Sequence, residues 1–265
     1  MNAFDLTDLA DIHNHLVPGV DDGARCPSES LRHLQALAAA GVTRLAVSPH
    51  LDARIVHEPG ALDERLNRLE TAFQELDRLC GERDDVPDLV FGQEILVPDP
   101  DTARKLFREP RVGYAGTRYA LIEFGFDLGE DPLGVVRSTL ESGRRAIIAH
   151  PERYRRNGGR VGLDEIRGWK EAGGLLQLNG GSVLGGYGDA IAELAWRLLD
   201  EGLIDLIGTD HHADARPVSP RDVGNALARR GLDRQARALL SENPRRVLED
   251  RDTLPIAAAP PRPGA

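Results

Sequence analysis

Cysteine is almost missing from this chain: Cys26 and Cys80 are the only two among 265 residues. Two cysteines make no disulfide framework, so the fold must stand on its core, and a reducing cytoplasm is the expected setting. Long apolar runs are missing too. None approaches the roughly 18 residues of a membrane span, and the opening MNAFDLTDLADIHNH carries acidic residues where a secretory signal carries basic ones. Basic charge is in deficit: 33 Lys and Arg against 43 Asp and Glu leave a net charge of −10. That balance argues against a nucleic-acid backbone as partner, because phosphate tracking needs a basic surface. Lysine is confined to Lys105 and Lys170. Hydrophobic residues at 41% and charged residues at 29% exclude a mainly disordered chain.

What is present is a recurrence. Short apolar runs alternate with longer amphipathic segments: LADIHNH (9–15), TRLAVSPH (43–50), DLVFGQEI (88–95), YALIEF (119–124), RAIIAH (145–150), GLLQLN (174–179) and IDLIGTDHH (204–212). Helical spacing covers 28–40, 61–80, 132–142, 163–172 and 189–201, with two or three helices over 219–250. Strands that alternate with helices imply parallel β-structure with crossovers. Seven such units predict an α/β fold of (β/α)7 type, a TIM-like barrel one unit short of eight, with a doubly wound open sheet as the alternative. One barrel domain is expected over 1–254. The Pro/Ala-rich PIAAAPPRPGA (255–265) is expected to be a disordered tail.

Nearly every expected strand ends in a residue type that ligates metal: His13 and His15, His50, Glu94, Glu123, His150, then Asp210 and His212. In a parallel barrel those ends share one face, where active sites sit. Residues i and i+2 of a strand point the same way, which lets the two imidazoles of HxH converge. One histidine closing a strand is ordinarily structural, but six of the eight histidines lie at strand ends. His33 and His57 are expected to be solvated, and His211 to point away from His212. Glu94 and Glu123 close apolar runs, where a buried carboxylate needs a cation or a hydrogen-bonding partner. Asp22, in Asp21-Asp22-Gly23 just beyond HNH, is either a turn residue or a further ligand. With Asp22 the set reaches nine N/O ligands, too many for one ion, which predicts two or three. Imidazole and carboxylate without thiolate favour Mn, Fe or Zn over Ca or Mg.

Cys26 and Arg32 have the C-x5-R spacing of cysteine-dependent phosphatases. The intervening Pro-Ser-Glu-Ser-Leu has no glycine and places Glu29 where an anion would sit, so it makes no phosphate cradle. Pro27 and Ser28 instead mark a helix start. Arg153 and Arg216 lie a few residues beyond ligand positions, where an arginine can clamp phosphate oxygens in bidentate fashion.

The ordered motifs DIHNHLVPGVDDG, AVSPH, GQEI, ALIEF, IAHPERY and TDHHADARP resemble the PHP-type (polymerase and histidinol phosphatase) protein-tyrosine phosphatases of bacterial capsule and exopolysaccharide systems, over about residues 8–250. The resemblance implies a distorted barrel of the PHP fold and a trinuclear, commonly Mn2+-dependent centre. It implies a phosphotyrosine-containing protein substrate, the Tyr-rich tail of a bacterial tyrosine autokinase. One ion would take His13, His15, Glu94 and Asp210, a second Glu94, Glu123 and His150, and a third Asp22, His50 and His212. Arg153 and Arg216 would hold the phosphate, and with Asp22 they are the residues expected to act on substrate. Two departures show: Thr209 stands where Ser is more usual, and the segment from His212 to Arg216 is about one residue short. The rivals are a histidinol-phosphate phosphatase, a small nuclease, an amidohydrolase and a non-catalytic kinase-docking module. Neither lysine falls at the strand end where an amidohydrolase carries its bridging lysine.

Overall fold

A computed structural model describes residues 7–81 and 83–259. The strands are β1 (Leu9–Asp11), β2 (Val42–Val47), β3 (His50–Asp52), β4 (Asp88–Phe91), β5 (Glu94–Leu96), β6 (Tyr119–Glu123), β7 (Arg145–Ala149), a hairpin of β8 (Arg155–Arg156) and β9 (Gly159–Arg160), then β10 (Leu175–Asn179) and β11 (Leu206–Gly208). Apart from the hairpin, all strand pairs are parallel. β1-β2-β4 form one sheet and β11-β10-β7-β6-β5-β3 another.

The two sheets are parts of one ring. Ser48-Pro49 interrupts one strand between β2 and β3, because proline offers no ladder N–H. Gly92-Gln93 interrupts another between β4 and β5. Across the remaining gap the Asp210 amide donates to the His13 carbonyl at 2.7 Å, and the His15 amide donates to the His211 carbonyl at 2.8 Å. The closed order is β1, β2–β3, β4–β5, β6, β7, β10 and β11. This is the distorted (β/α)7 barrel expected from the alternation, and closure rules out the open doubly wound sheet. His50 and Glu94 therefore do not close strands as expected; they open the second halves of broken ones.

Strand parity directs each side chain. In β6, Ala120 and Ile122 join the outer core beneath the helices, whereas Tyr119 and Leu121 join the cluster inside the barrel. Glu123 continues that inner row to the mouth. β10 repeats the pattern, with Leu175 inside and Gln177 and Asn179 following it upward. At the other end Val247 and Leu248 seal the interior.

The outer helices include α1 (Pro27–Ala39), α2 (Ala61–Cys80), α3 (Pro100–Leu106), α4 (Pro132–Glu141), α5 (Leu163–Glu171), the short α6 (Gly180–Val183) and α7 (Asp189–Asp200). α8 (Pro220–Ala228) and α9 (Asp233–Arg237) follow; a π-helical turn (Ala238–Glu242) then leads into α10 (Asn243–Leu248). α2 buries Leu66, Leu69 and Leu76 on one face, as its spacing requires. α3 was not expected. Its start is set by Asp99, whose carboxylate accepts from the amides of Asp101 and Thr102. The expected tail also needs correction, because part of it, Ile256 and Ala259, is held on the fold. Both lie against the core, and the Ala259 amide donates to the Asp200 carbonyl at 2.9 Å. The rest of that segment, 260–265, lies outside the described residues. Among the described residues no helix is long and apolar enough to cross a membrane.

Candidate metal centre

All nine sequence-predicted ligands meet at one barrel mouth. Glu94 is central: its Oε1 lies 2.8 Å from His150 Nε2 and 3.2 Å from His13 Nε2, and its Oε2 lies 3.0 Å from His50 Nδ1 and 3.2 Å from His15 Nε2. Asp210 Oδ1 lies 3.4 Å from His15 Nε2 and 3.3 Å from His212 Nδ1. Asp22, 62% exposed, reaches in from its loop to 3.3 Å from His212 Nε2 and 3.4 Å from His50 Nε2. Glu123 Oε2 is 3.9 Å from His150 Nε2.

Three overlapping groups have donor atoms close enough for one ion each: His13, His15, Glu94 and Asp210; His15, Asp22, His50 and His212; and His50, Glu94 and Glu123. The first is the set expected. The second adds His15 to the expected three, and the third draws on His50 where His150 was expected. A further observation fits cations here. His13 Nε2, His15 Nε2, His150 Nδ1, His212 Nε2 and Glu94 Oε2 are buried and make no well-aligned hydrogen bond, although all but His150 Nδ1 lie within 3.0–3.3 Å of an oppositely charged group, an arrangement that a shared cation would satisfy.

The local backbone is shaped to bring these groups together. His150 and Asp210 both adopt left-handed φ, 34° and 50°, which is uncommon for non-glycine residues and turns each side chain inward where its strand stops. Gly23 has no room for a side chain: a Cβ there would lie 1.9 Å from the His15 carbonyl oxygen. Glycine is what lets the Asp21-Asp22 loop close over the histidines.

Charge is concentrated accordingly. Burial opposes ionisation of Glu94, but His13, His15 and His150 outweigh it and hold the carboxyl well below its ordinary range. Burial also opposes the charged form of His13, yet Glu94 and Asp210 push its pKa up to about 9. Glu123 goes the other way, up to about 7, through burial and then the Glu94 charge. Burial and the neighbouring His15 bring His212 down to about 4. A knot of carboxylates and imidazoles in so little water favours bound cations.

Above the ligands opens a cavity of about 340 Å³, bordered by both predicted arginines. Arg153 Nη1 donates to Asp210 Oδ2 at 2.6 Å, and Arg216 Nη2 lies 3.6 Å from Asp22 Oδ2. The short segment before Arg216 costs it no reach, because the turn pairs His212 with Arg216 and returns the side chain to the mouth.

Several supporting residues escaped sequence reasoning. Gln177 Oε1 lies 2.8 Å from His13 Nδ1, Asp21 Oδ2 lies 2.9 Å from His15 Nδ1, and Asn179 Nδ2 donates to Asp210 Oδ2 at 2.7 Å. The alternation Leu175-Gln177-Asn179 placed both amides on the inner face, but neutral amides carry no ligand signature. His33 is not solvated as expected. It is 7% exposed, and its ring bridges His211 Nε2 at 2.9 Å and Asp214 Oδ1 at 3.0 Å. His57 is exposed, and His211 points away from the ligands, both as expected. Cys26 stands at the N-cap position of α1 without a side-chain capping bond, and Arg32 is paired with Asp214 through two 2.9 Å contacts. The C-x5-R segment therefore frames no anion site.

Comparison with known proteins agrees with this geometry. Tyrosine-protein phosphatase YwqE of Bacillus subtilis (strain 168) is 29% identical over 207 residues, 77% of each chain. A putative tyrosine-protein phosphatase CapC of Staphylococcus aureus is 30% identical over 212 residues, again 77% of each. A crystal structure reported for the metal-dependent tyrosine phosphatases YwqE from Bacillus subtilis and CpsB from Streptococcus pneumoniae superposes with a TM-score of 0.74. It has 25% identity and covers 96% of this chain and 100% of that one. The family described as capsular polysaccharide synthesis, CpsB/CapC, matches residues 9–249, and this chain belongs to it.

Proposed function

We propose that this protein is a cytoplasmic, metal-dependent phosphomonoesterase that hydrolyses phosphotyrosine in a protein substrate, the tyrosine-rich tail of a bacterial tyrosine autokinase of capsule or exopolysaccharide synthesis. The observation that carries this reading is the set of buried imidazole and carboxylate atoms without well-aligned hydrogen bonds, beneath a cavity bordered by two guanidinium groups. The relatives' names and the family support the substrate class. The centre is assigned two or three Mn2+ ions, on one barrel domain. His13, His15, Glu94 and Asp210 would hold one ion, Glu94 and Glu123 with His50 and His150 a second, and Asp22, His50 and His212 a third where three are bound. Bound divalent ions supply Lewis acidity and make water acidic enough to ionise near neutral pH.

The chain's own residues do the rest. Arg153 and Arg216 hold the non-bridging phosphate oxygens as charge redistributes. Asp210 orients Arg153, and Asp22 lies beside Arg216. The lining holds one carboxylate outside the ligand set, Asp52, and the Arg54 side chain on it holds its pKa low. It is a poor proton donor. A phenolate, with a conjugate acid of pKa about 10, leaves without one, whereas an alkoxide needs protonation. Comparing kcat/KM for a phosphotyrosine peptide and histidinol phosphate on one Mn-loaded preparation tests the reading. The peptide is expected to be the far better substrate; a preference for histidinol phosphate sinks the assignment.

A further inference from the structure

Beside the metal cavity runs a second depression of about 510 Å³ with the opposite electrostatic character. Arg153, Arg155, Arg160, Phe126, Tyr187 and Ile191 line it, and among the described residues no carboxylate does. The two spaces are adjacent and share a wall: Phe126 and Arg153 border both. The metal cavity carries Asp22, Asp52, Glu94, Glu123 and Asp210 on its walls. Most of those carboxylates are committed to cations in the reading above, whereas the groove offers guanidinium groups to a flanking acidic side chain.

The groove is built by the segment that follows His150. The β8–β9 hairpin presents Arg155 and Arg160 side by side, as register partners. Arg155 is held by Asp127 at 3.0 Å, which fixes its direction and cancels much of its charge. The Arg160 side chain is exposed and makes no hydrogen bond or ion pair with any described residue. What sets Arg160 apart from other exposed arginines is its place in the lining of a groove that shares Arg153 and Phe126 with the metal cavity. The shared wall is aromatic. The Arg153 guanidinium lies 4.7 Å from the Phe126 ring centroid and 4.4 Å from that of Tyr187. Phe126 is nevertheless 44% exposed, an apolar face at the junction of the two spaces. An extended polypeptide advances about 3.3 Å per residue, and because the groove shares a wall with the metal cavity, residues close to a phosphotyrosine seated among the ligands can reach it.

Resting on the phosphatase reading above, we infer that this groove is a specificity subsite that takes acidic side chains flanking the phosphotyrosine of the same peptide, with Arg160 as the discriminating cation.

The test uses the metal-loaded full chain. Two fluorescent peptides carry a non-hydrolysable phosphonomethyl-phenylalanine, flanked by glutamates in one and lysines in the other. Anisotropy titration is expected to favour the glutamate peptide about three- to tenfold, the range for a few exposed ion pairs, and less at high salt. Arg160→Gln should erase most of that preference and Arg160→Glu invert it, while p-nitrophenyl phosphate is turned over at the wild-type rate. Equal binding of the two peptides, or a preference that survives Arg160→Glu, overturns the subsite. Loss of p-nitrophenyl phosphate turnover in the wild type with the peptide preference intact would sink the phosphatase reading and leave the groove standing.

Discussion

Gln177 Oε1 accepts from Nδ1 of His13 at 2.8 Å, and this one contact turns the opposite ring nitrogen toward Glu94 and Asp210. The amide is itself held, because its Nε2 donates to the Leu178 carbonyl at 2.6 Å. With Nδ1 kept protonated by Gln177, a cation that displaces the proton Glu94 and Asp210 otherwise hold on Nε2 would meet the lone pair of that nitrogen. Gln177→Leu keeps the apolar volume and removes that contact. Metal affinity is expected to fall about 10- to 100-fold, measured by competition with a chelating dye. Unchanged affinity would show that the barrel wall alone orients His13.

Removing a shared carboxylate should differ from removing a guanidinium. Glu94 touches four imidazoles, so Glu94→Gln is expected to lose bound metal and turnover together. Arg153→Ala leaves every ligand in place. It should retain full metal content by elemental analysis and lose about 10²- to 10³-fold in kcat/KM, the scale of one missing transition-state donor. Metal loss in Arg153→Ala would mean that its 2.6 Å contact with Asp210 maintains the centre rather than the substrate.

The parts legible in the sequence were those tied to periodicity and to residue type. Alternation at Tyr119-Leu121-Glu123 announces both an inner face and a carboxylate at its end, and HxH at His13 and His15 announces convergence. The breaks at Ser48-Pro49 and Gly92-Gln93 were not legible, because each sits inside one apolar run, and only hydrogen bonding shows the ladder stopping. Nor does i, i+2 spacing explain Asp210 and His212: β11 ends at Gly208, and a left-handed φ at Asp210 supplies the convergence instead. The burial of His33 was illegible for a related reason. Its partners His211 and Asp214 lie about 180 residues away in sequence, and no helical pattern reports them.

Cysteine chemistry is expected to be irrelevant. Cys26 is exposed at the start of α1, and its C-x5-R partner Arg32 is committed to Asp214. Cys26→Ser should keep most of the wild-type turnover, whereas excess chelator should abolish it and added Mn2+ restore it. Full activity in chelator together with a dead Cys26→Ser variant reverses the mechanism.

Metal should also stabilise the fold. Without cations, Glu94, Glu123 and Asp210 crowd one buried volume, and the Glu94 charge opposes ionisation of Glu123. Ligand at 100 times its Kd adds about 2.7 kcal/mol to a native state that alone binds it. For a chain of this size that corresponds to a rise in Tm of about 5–10 °C. Differential scanning fluorimetry with and without chelator reads it, and identical melting curves would show that the carboxylates are accommodated by the imidazoles alone.

The packed C-terminal segment offers a test separate from the site. Gly202 has φ +69°, and a Cβ there would lie 2.6 Å from the Ala258 amide nitrogen and 2.8 Å from the Ala257 carbonyl carbon. Both obstacles are backbone, so neither can rotate aside. Gly202→Ala therefore carries two separable penalties. The left-handed conformation costs an L-residue about 1–2 kcal/mol wherever the chain ends, and the clash exists only while residues 257–258 are docked. A chain ending at Leu254 should suffer the first penalty alone, since Leu254 remains tied to Asn243 through a 2.6 Å hydrogen bond from its amide. In the full chain the substitution should cost more, either directly or by expelling Ile256 and Ala259 from the core. A double-mutant cycle of substitution against truncation, read by urea denaturation, isolates the difference as a coupling free energy. Equal destabilisation in both backgrounds would place the segment from Pro255 onward away from Gly202 in solution, and the disordered tail suggested by its composition would then be the better description.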